Sequence, residues 1–122
     1  MSFETKKTGQ SGEDKAASFL GENGYTIVER NWRTTGGEID IIATKEETIV
    51  FVEVKTLPNA TTDMLQTVLN EQKQKRIIKT SKRFLLNHRE YSKNLIRFDV
   101  IILDMPGLPQ VYHIENAFSE FL

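Results

Sequence analysis

The hydrophobic residues near the start of the chain recur at helical spacing. We expect this first helix to begin at an N-cap box that opens with Ser11 and to end at Gly24. Its inward stripe has i, i+3, i+4, i+7 spacing and combines one acid with three apolar residues: Glu13, Ala16, Ala17 and Leu20. The acid therefore faces inward, close to the expected N-terminus of the helix, where the helix dipole stabilises a negative charge.

A second helical pattern extends from about residue 64 to about residue 86. One arc of this helix is apolar and the opposite arc is basic, with Lys75, Arg76 and Lys79 on the basic side. Lys73 and Gln74 fall outside the basic arc and project toward the apolar side near the start of the helix. That position makes them available to a groove or an active site.

Five runs of β-branched and aromatic residues between turn signals predict strands. They cover residues 25–30, 38–44, 48–56, 96–103 and 111–118. Gly36 and Gly37 supply a turn before the second strand, and Pro106 and Gly107 supply one before the fifth. The order is one helix, three strands, one helix and two strands (αβββαββ). This order indicates an α/β fold in which helices flank one mixed β-sheet.

Charged side chains interrupt two strands that are otherwise apolar: Glu38, Asp40, Glu53 and Lys55. In the second strand, Ile39 and Ile41 are predicted to share one face, which leaves Asp40 on the other face. If the second and third strands pair as a hairpin, Asp40 and Glu53 converge on one face, with Lys55 two residues further along it.

Two carboxylates a few ångströms apart repel each other by about 4 kcal/mol at an effective dielectric constant of about 20. Such a pair requires a shared proton or a cation, and Mg²⁺ is commonly held by one or two carboxylates together with waters and phosphate oxygens. Lys55 beside that ion can position a water nucleophile or stabilise charge that develops on phosphorus. The alternative interpretation is structural: Lys55 forms a salt bridge with Glu53 or Asp40 at a sheet edge, and Glu13 is an ordinary acid of the first helical turn.

The length and composition indicate one soluble domain. Residues 1–7 are expected to form a flexible charged tail, and residues 8–122 a single domain. The absence of cysteine excludes a disulfide framework, a thiolate zinc site and a cysteine nucleophile. No apolar run approaches the roughly 18 residues of a membrane span, and the N-terminus lacks the apolar core of a secretory signal. These features predict a cytoplasmic protein that does not insert into membranes.

Charge is unevenly distributed along the chain, although the net charge is only −1. Residues 73–97 contain nine Lys or Arg residues and one acid, a net charge of +8, so the remaining chain is strongly acidic. A basic segment of this kind is typical of a surface that binds a polyanion such as nucleic acid, and a solvated helix face is the alternative.

Seven sequence blocks carry a resemblance to a known family: GEDKAASFL, RNWR, GEIDIIA, VFVEVKT, KQKRIIKTSKRFL, RFDVI and HIENAF. In this order they resemble the bacterial YraN family, small proteins regarded as predicted endonucleases related to Holliday-junction resolvases. The resemblance extends from about residue 9 to the end of the sequence. It implies a restriction-endonuclease-like core with a PD-(D/E)xK nuclease site.

The resemblance also implies a role for each matching residue. Asp40 matches the principal metal ligand, Glu53 the second ligand, Lys55 the catalytic lysine and Glu13 an acid contributed by the first helix. Glu38 is implied to support the metal ligands or to contact a phosphate. The metal would be Mg²⁺ or Mn²⁺. The residues expected to contact nucleic acid are Arg33, Lys73, Gln74, Lys75, Arg76 and Lys79.

The expected function is a metal-dependent endonuclease that hydrolyses phosphodiester bonds of DNA, with RNA not excluded as a substrate. Fold-level analogy with the resolvases suggests branched or structured DNA, and a homodimer is expected for such a substrate because a junction has paired strands to cut. The alternative function is a catalytically silent nucleic-acid-binding module of a DNA repair or processing complex. Retention of Asp40, Glu53 and Lys55 favours the enzyme, because two crowded carboxylates repel a bound phosphate.

Overall fold

The computed structural model describes the backbone of residues 3–61, 64 and 69–120, and the side chains of these residues from residue 11 onward. The elements are α1 (Phe3–Glu22), β1 (Thr26–Thr34), β2 (Gly37–Lys45), β3 (Thr48–Thr56), α2 (Glu71–Asn87), β4 (Leu95–Leu103) and β5 (Val111–Phe118). A short 3₁₀ helix, Arg89–Tyr91, follows α2. The predicted element order αβββαββ is therefore confirmed.

All five strands form one mixed sheet in the order β1-β2-β3-β4-β5. Neighbouring strands are antiparallel except for β3 and β4, which pair in parallel along their whole length from Thr48↔Leu95 to Thr56↔Leu103. A parallel pair requires a crossover connection, and α2 lies within the segment that supplies it. The fold is thus an α/β fold with a mixed sheet, as predicted.

The sheet separates two hydrophobic clusters, because side chains alternate between the two faces of each strand. On one face, Phe51 packs with Phe84 of α2 and with Phe98. On the other face, Val50 and Val52 pack with residues of α1 and β4. Residues 51, 53 and 55 of β3 share one face, so Glu53 and Lys55 lie on the α2 side of the sheet, like Phe51.

Both helices begin at residues other than the predicted ones. Helix α1 begins at Phe3, so Ser11 lies inside it and is not an N-cap. The cap signal was misleading because a serine followed by an acid is compatible with a helix interior when the preceding backbone is also helical. Residues 1 and 2 of the expected tail lie outside the described residues, and the backbone of residues 3–7 is helical. The division into a tail and a domain stays a prediction.

Helix α2 begins at Glu71, whereas the periodic pattern predicted a start near residue 64. The side-chain oxygen of Asn70 accepts a hydrogen bond of 2.9 Å from the backbone N–H of Lys73 and so caps the helix. Residues 65–68, which the sequence pattern assigned to the first turns of this helix, lie outside the described residues. The cap places Lys73 in the first turn of the helix, beside the strands that carry the charged residues.

A buried carboxylate, Asp99, ties β4 to β5. It accepts hydrogen bonds from the Arg97 guanidinium at 2.9 and 2.8 Å, from the backbone N–H of Asn116 at 2.9 Å, and contacts Nε2 of His113 at 2.7 Å. Burial raises the pKa of Asp99, but the hydrogen bonds from His113, Arg97 and Asn116 outweigh this effect and hold the pKa below its ordinary value. Asp99 is therefore a structural acid that holds β4 and β5 together.

We predict that Asp99→Asn lowers the free energy of unfolding by about 2–4 kcal/mol, because it leaves the Arg97 charge without its buried partner. Since the folded state lowers the pKa of Asp99, its contribution is fully present above the unfolded pKa of about 3.9 and is lost as pH falls through the folded pKa. Urea denaturation between pH 3 and pH 7 measures both effects. Glu115→Gln is the matched control, because Glu115 is exposed and lies 3.9 Å from the same arginine. Equal losses in the two variants would contradict the assignment.

Candidate active site

The ladder of backbone hydrogen bonds between β2 and β3 extends from the turn to the pair Ile41↔Val52 and does not include Asp40, the next residue of β2. Beyond this pair, Oδ2 of Asp40 accepts a hydrogen bond of 2.8 Å from the backbone N–H of Val54. A side-chain carboxylate thus binds a strand N–H where the regular ladder has stopped. The charged residues of the two strands lie at this end of the hairpin.

The strand β2 does not alternate regularly through Asp40. Ile39 belongs to the hydrophobic cluster on the α2 side, whereas Ile41 belongs to the cluster on the α1 side. The prediction that the two isoleucines share one face is therefore wrong. The neighbouring strand is irregular at the same level, because Asn31 of β1 has a left-handed backbone with φ of 53°. Such irregularities redirect side chains and often occur beside functional sites.

Asp40 is held in an unfavourable environment for a negative charge. Its side chain is nearly buried, with 8% exposure. Burial raises its pKa to about 7, the charge of Glu53 adds to the increase, and the hydrogen bond from Val54 opposes it. The charges of Glu13 and Glu38 raise the pKa further. The four acids therefore lie close enough to interact.

Glu53 and Lys55 form an ion pair on β3, with 3.3 Å between Oε1 of Glu53 and Nζ of Lys55. Burial raises the pKa of Glu53, and the positive charge of Lys55 only partly offsets the increase. Burial by itself would lower the pKa of Lys55, but the negative charge of Glu53 raises it above its ordinary value. Lys55 is thus held protonated and is fixed by its neighbour two residues away.

Lys73, in the first turn of α2, approaches Lys55 from the other side. The Lys55 ammonium lowers the pKa of Lys73, because it can donate a hydrogen bond to the neutral amine of Lys73 and because its positive charge repels a second one; the charge of Glu53 opposes this change. Two lysine side chains that approach each other beside a carboxylate favour the binding of a further anion. A phosphate group between the two lysines would relieve their repulsion.

These residues border an open cleft of about 460 Å³ between the β1–β2 hairpin and the start of α2. Its charged lining consists of four cations and two acids: Arg33, Lys55, Lys73, Arg76, Glu38 and Glu53. Asp40, which is buried, and Glu13 are not among the lining residues. The charged lining of the cleft is thus mainly cationic.

The position of Arg76 corrects the helical-wheel prediction, which placed this residue on an arc facing away from the sheet. Arg76 lines the cleft and lies against Gly37, where an added Cβ would come within 3.4 Å of its Cγ and 2.6 Å of Oγ1 of Thr80. Lys73, Arg76 and Thr80 follow i, i+3, i+7 spacing and form one stripe over the hairpin. The absence of a side chain at Gly37 permits this close approach.

The remaining residues predicted to contact nucleic acid lie outside the cleft or at its edge. The amide of Gln74 donates a 3.0 Å hydrogen bond to the carbonyl of Leu69, and Lys75 forms an exposed pair with Glu71. Lys79 is exposed and is not among the lining residues. Arg33 lies at the mouth of the cleft, where its Nε is 2.9 Å from Oε2 of Glu38.

Glu13 is half-buried in the middle of α1, because the helix begins at Phe3. The expectation that a helix N-terminus stabilises its charge is therefore wrong. The opposing charge comes from Arg30 of β1, whose guanidinium lies 3.9 Å from Glu13 and 2.7 Å from Asp14. Sequence reasoning missed Arg30, because the predicted first strand ended at this residue and gave no indication that it reaches α1.

Within the described part of the chain, no three Asp, Glu, His or Cys side chains form a cluster that holds a metal ion by itself. The interaction of Asp40 with Glu53 is nevertheless strong enough to affect the pKa of Asp40. Metal binding by Asp40, Glu53 and Glu13 stays a prediction.

The fold and the cleft define a small α/β protein with one mixed five-stranded sheet. A model of the uncharacterised protein family UPF0102 matches residues 12–103. A UPF0102 protein of Treponema denticola is 46% identical over 123 residues, which cover 92% of this chain and 95% of that protein. UPF0102 proteins of Treponema pallidum and Geobacter metallireducens are 43% and 42% identical, over 100% and 98% of both chains respectively. The chain belongs to family UPF0102.

Family membership, predicted from the sequence motifs, is thereby confirmed. The names of these relatives state no activity, so the relation to nucleases stays a prediction. Among the helices that the structure describes, none is both long enough and apolar enough to cross a membrane.

We predict that Asp40→Asn stabilises the metal-free protein at pH 8, because the amide keeps an acceptor for Val54 N–H and removes a buried charge. Since folding raises the pKa of Asp40 to about 7, its proton-linked contribution is fully present below the unfolded pKa of about 3.9 and is lost as pH rises through 7. The expected increase in melting temperature is about 5 °C or more at pH 8, becomes smaller as the pH falls, and approaches zero at pH 3, below the unfolded pKa.

Differential scanning calorimetry in a chelating buffer measures this change. The control is Glu47→Gln, an exposed acid-to-amide change near the opposite end of the same β2–β3 hairpin. An Asp40→Asn variant less stable than the wild type at pH 8 would contradict the electrostatic description.

Proposed function

We propose that this protein is a metal-dependent endonuclease that hydrolyses phosphodiester bonds of DNA. The observation that carries the proposal is the arrangement at the end of the β2–β3 hairpin. There, Asp40 and Glu53 repel each other, Lys55 is paired with Glu53 at 3.3 Å, and a cationic cleft opens beside them. Acids that repel one another next to cations suited to phosphate are the combination that metal-assisted phosphate hydrolysis requires.

The residues present fit a divalent cation. Burial and the charge of Glu53 raise the pKa of Asp40 to about 7, so a positive ion beside both carboxylates would relieve an existing repulsion. One oxygen of Asp40 accepts from Val54 N–H, which leaves the other oxygen available. Mg²⁺ or Mn²⁺ bound by two carboxylates would complete its coordination with water and phosphate oxygens, with Glu13 as a further candidate ligand.

When bound, the ion would supply a Lewis acid for the phosphate and lower the pKa of a coordinated water. The protein's own residues have separate tasks in this proposal. Glu53 orients the ammonium of Lys55, and Lys55 donates hydrogen bonds to a phosphate oxygen or to the attacking water. The attacking water gives up one proton to solvent as its oxygen forms the new bond to phosphorus; one ester P–O bond breaks, and the leaving oxygen takes up a proton from solvent.

The cleft provides the contacts for the nucleic-acid backbone. Lys73 and Arg76 of α2 and Arg33 of β1 line the cleft together with Glu53, so a strand bound in the cleft has cations beside its phosphates. This arrangement also agrees with the restriction-endonuclease-like core that the sequence motifs imply, in which a strand hairpin carries the acids and the lysine. A branched substrate would be cut by two copies of the protein, and for that substrate we propose a homodimer.

We predict that Asp40→Asn and Lys55→Ala each reduce cleavage at least about 1,000-fold, because each removes a group that acts on the transition state. The assay incubates labelled duplex, single-stranded and four-way-junction DNA with Mg²⁺ or Mn²⁺. Glu47→Gln serves as the matched control and should cleave like the wild type.

The amide variant of Asp40 should still bind DNA, because the cationic wall is unchanged. Wild-type protein that binds DNA but cuts none of the substrates with either metal would contradict the endonuclease and favour the binding module.

A separate prediction concerns the wall of the cleft. Lys73→Ala and Arg76→Ala should each weaken DNA binding by Asp40→Asn protein and reduce the slope of log K against log salt concentration by about 0.9, since each removes one phosphate contact. Fluorescence anisotropy between about 50 and 200 mM salt gives this slope. Lys93→Ala, an exposed lysine outside the cleft, is the control. Unchanged slopes for both wall variants would place the DNA elsewhere.

A further inference from the structure

A second concave surface lies at the C-terminal end of α2, where the helix, the 3₁₀ turn Arg89–Tyr91 and the start of β4 meet. We call it the α2–β4 groove. Its volume is about 470 Å³, and its lining includes Lys82, Leu85, Leu86, Arg89, Tyr91 and Ile96. Arg76 and Leu86 are ten residues apart on one helix, which corresponds to about 15 Å. A molecule in this groove therefore leaves the candidate active site open.

The floor and margin of the groove are unusually apolar for an exposed surface. Leu86 is 65% exposed, Ile96 is 50% exposed, and Leu95, next to Ile96, is 69% exposed. These residues are three of the four large hydrophobic side chains that are exposed in the described part of the chain. Exposed apolar side chains that cluster around a concavity are typical of a binding surface.

Two cations, Lys82 and Arg89, stand at the rim of this apolar floor, and the exposed Arg83 and Lys93 lie close to them in sequence. One cation of the rim already has an acidic partner within the chain. The carboxylate of Glu120, which follows β5, contacts the ammonium of Lys82. An acid is thus already bound at one end of the groove, whereas Arg89 and the exposed hydrophobic residues have room for more.

Charge complementarity favours one class of occupant. A second copy bound through the same groove would place the cations of the two rims against each other, because a two-fold contact is self-complementary. Nucleic acid would satisfy the cations but would leave Leu86 and Ile96 without an apolar partner. A peptide segment that carries both acids and bulky apolar side chains satisfies both parts of the surface.

We propose that the α2–β4 groove docks an acidic segment of a partner protein, with one or two bulky apolar side chains inserted between Leu86 and Ile96. The acids of that segment pair with Arg89 and with the neighbouring cations of the rim. Docking of this kind tethers the protein to its partner while the cleft at the other end of α2 stays accessible. The proposal is independent of the endonuclease, because it uses none of the residues of the cleft.

The experiment measures the binding of a dye-labelled peptide of four aspartates followed by leucine, glycine and phenylalanine, by fluorescence anisotropy. Saturable binding is expected. Arg89→Glu and Ile96→Ser should each weaken it at least tenfold, because charge pairing and apolar burial both contribute. A peptide with alanine in place of leucine and phenylalanine should bind at least tenfold more weakly. Circular dichroism verifies that both exposed-site variants remain folded.

Lys73→Glu is the matched control, a charge reversal in the first turn of α2, at the cleft. Lys73→Glu should weaken DNA binding and leave peptide binding unchanged. Arg89→Glu should weaken peptide binding and leave DNA binding unchanged. This pair of variants separates a failure of the groove proposal from a failure of the endonuclease proposal.

Three results would overturn the groove proposal. The first is the absence of saturable peptide binding, and the second is binding that Arg89→Glu and Ile96→Ser do not weaken. The third is association through the groove with something other than the peptide. This means self-association detected by sedimentation and lost in Ile96→Ser, or adsorption to vesicles of phosphatidylserine and phosphatidylcholine without peptide binding.

Discussion

The carboxylates of Asp40 and Glu53 repel each other in a largely buried part of the protein, and the charged residues around them are arranged about this repulsion. A folded protein rarely keeps a nearly buried acid whose pKa is raised to about 7 unless another function requires it. The fold maintains the acid with a single hydrogen bond from Val54 N–H, at the position where the β2–β3 ladder ends. The neighbouring elements respond to this local charge: Lys55 pairs with Glu53, and Lys73 approaches Lys55 from α2.

Asp40 and Asp99 show how two acids of similar burial acquire opposite properties. Asp99 accepts hydrogen bonds from Arg97 and Asn116 and contacts His113, so its pKa lies below the ordinary value and its charge stabilises the fold. Asp40 has one backbone donor and acidic neighbours, so its pKa is raised. The hydrogen-bonding partners, more than the depth of burial, decide which acid has a structural role and which is available for chemistry.

The sequence predicted the strands well where hydrophobic alternation was uninterrupted, and the limits of β3 and β5 agree residue for residue. The predictions from the sequence were wrong where tertiary contacts determine the geometry. The irregularity at Asn31 and Asp40 separates Ile39 from Ile41, and the close approach of Arg76 to Gly37 depends on the packing of α2 over the hairpin. The start of α1 was also wrong, which removed the proposed dipole effect at Glu13. The pairing of Glu53 with Lys55 followed from their spacing on a strand, whereas the contribution of Arg30 required the folded structure.

The proposed activity depends on the binding of a divalent cation by Asp40 and Glu53 together. Isothermal titration calorimetry of Mn²⁺ at pH 7, in two buffers of different ionisation enthalpy, tests it most directly because it reports both binding and proton release. Saturable binding with release of protons is expected, since the pKa of Asp40 is raised to about 7 and the ion binds the ionised carboxylate. Both signals should disappear in Asp40→Asn. Mn²⁺ binding that is absent in the wild type, or that persists unchanged in Asp40→Asn, would contradict the account.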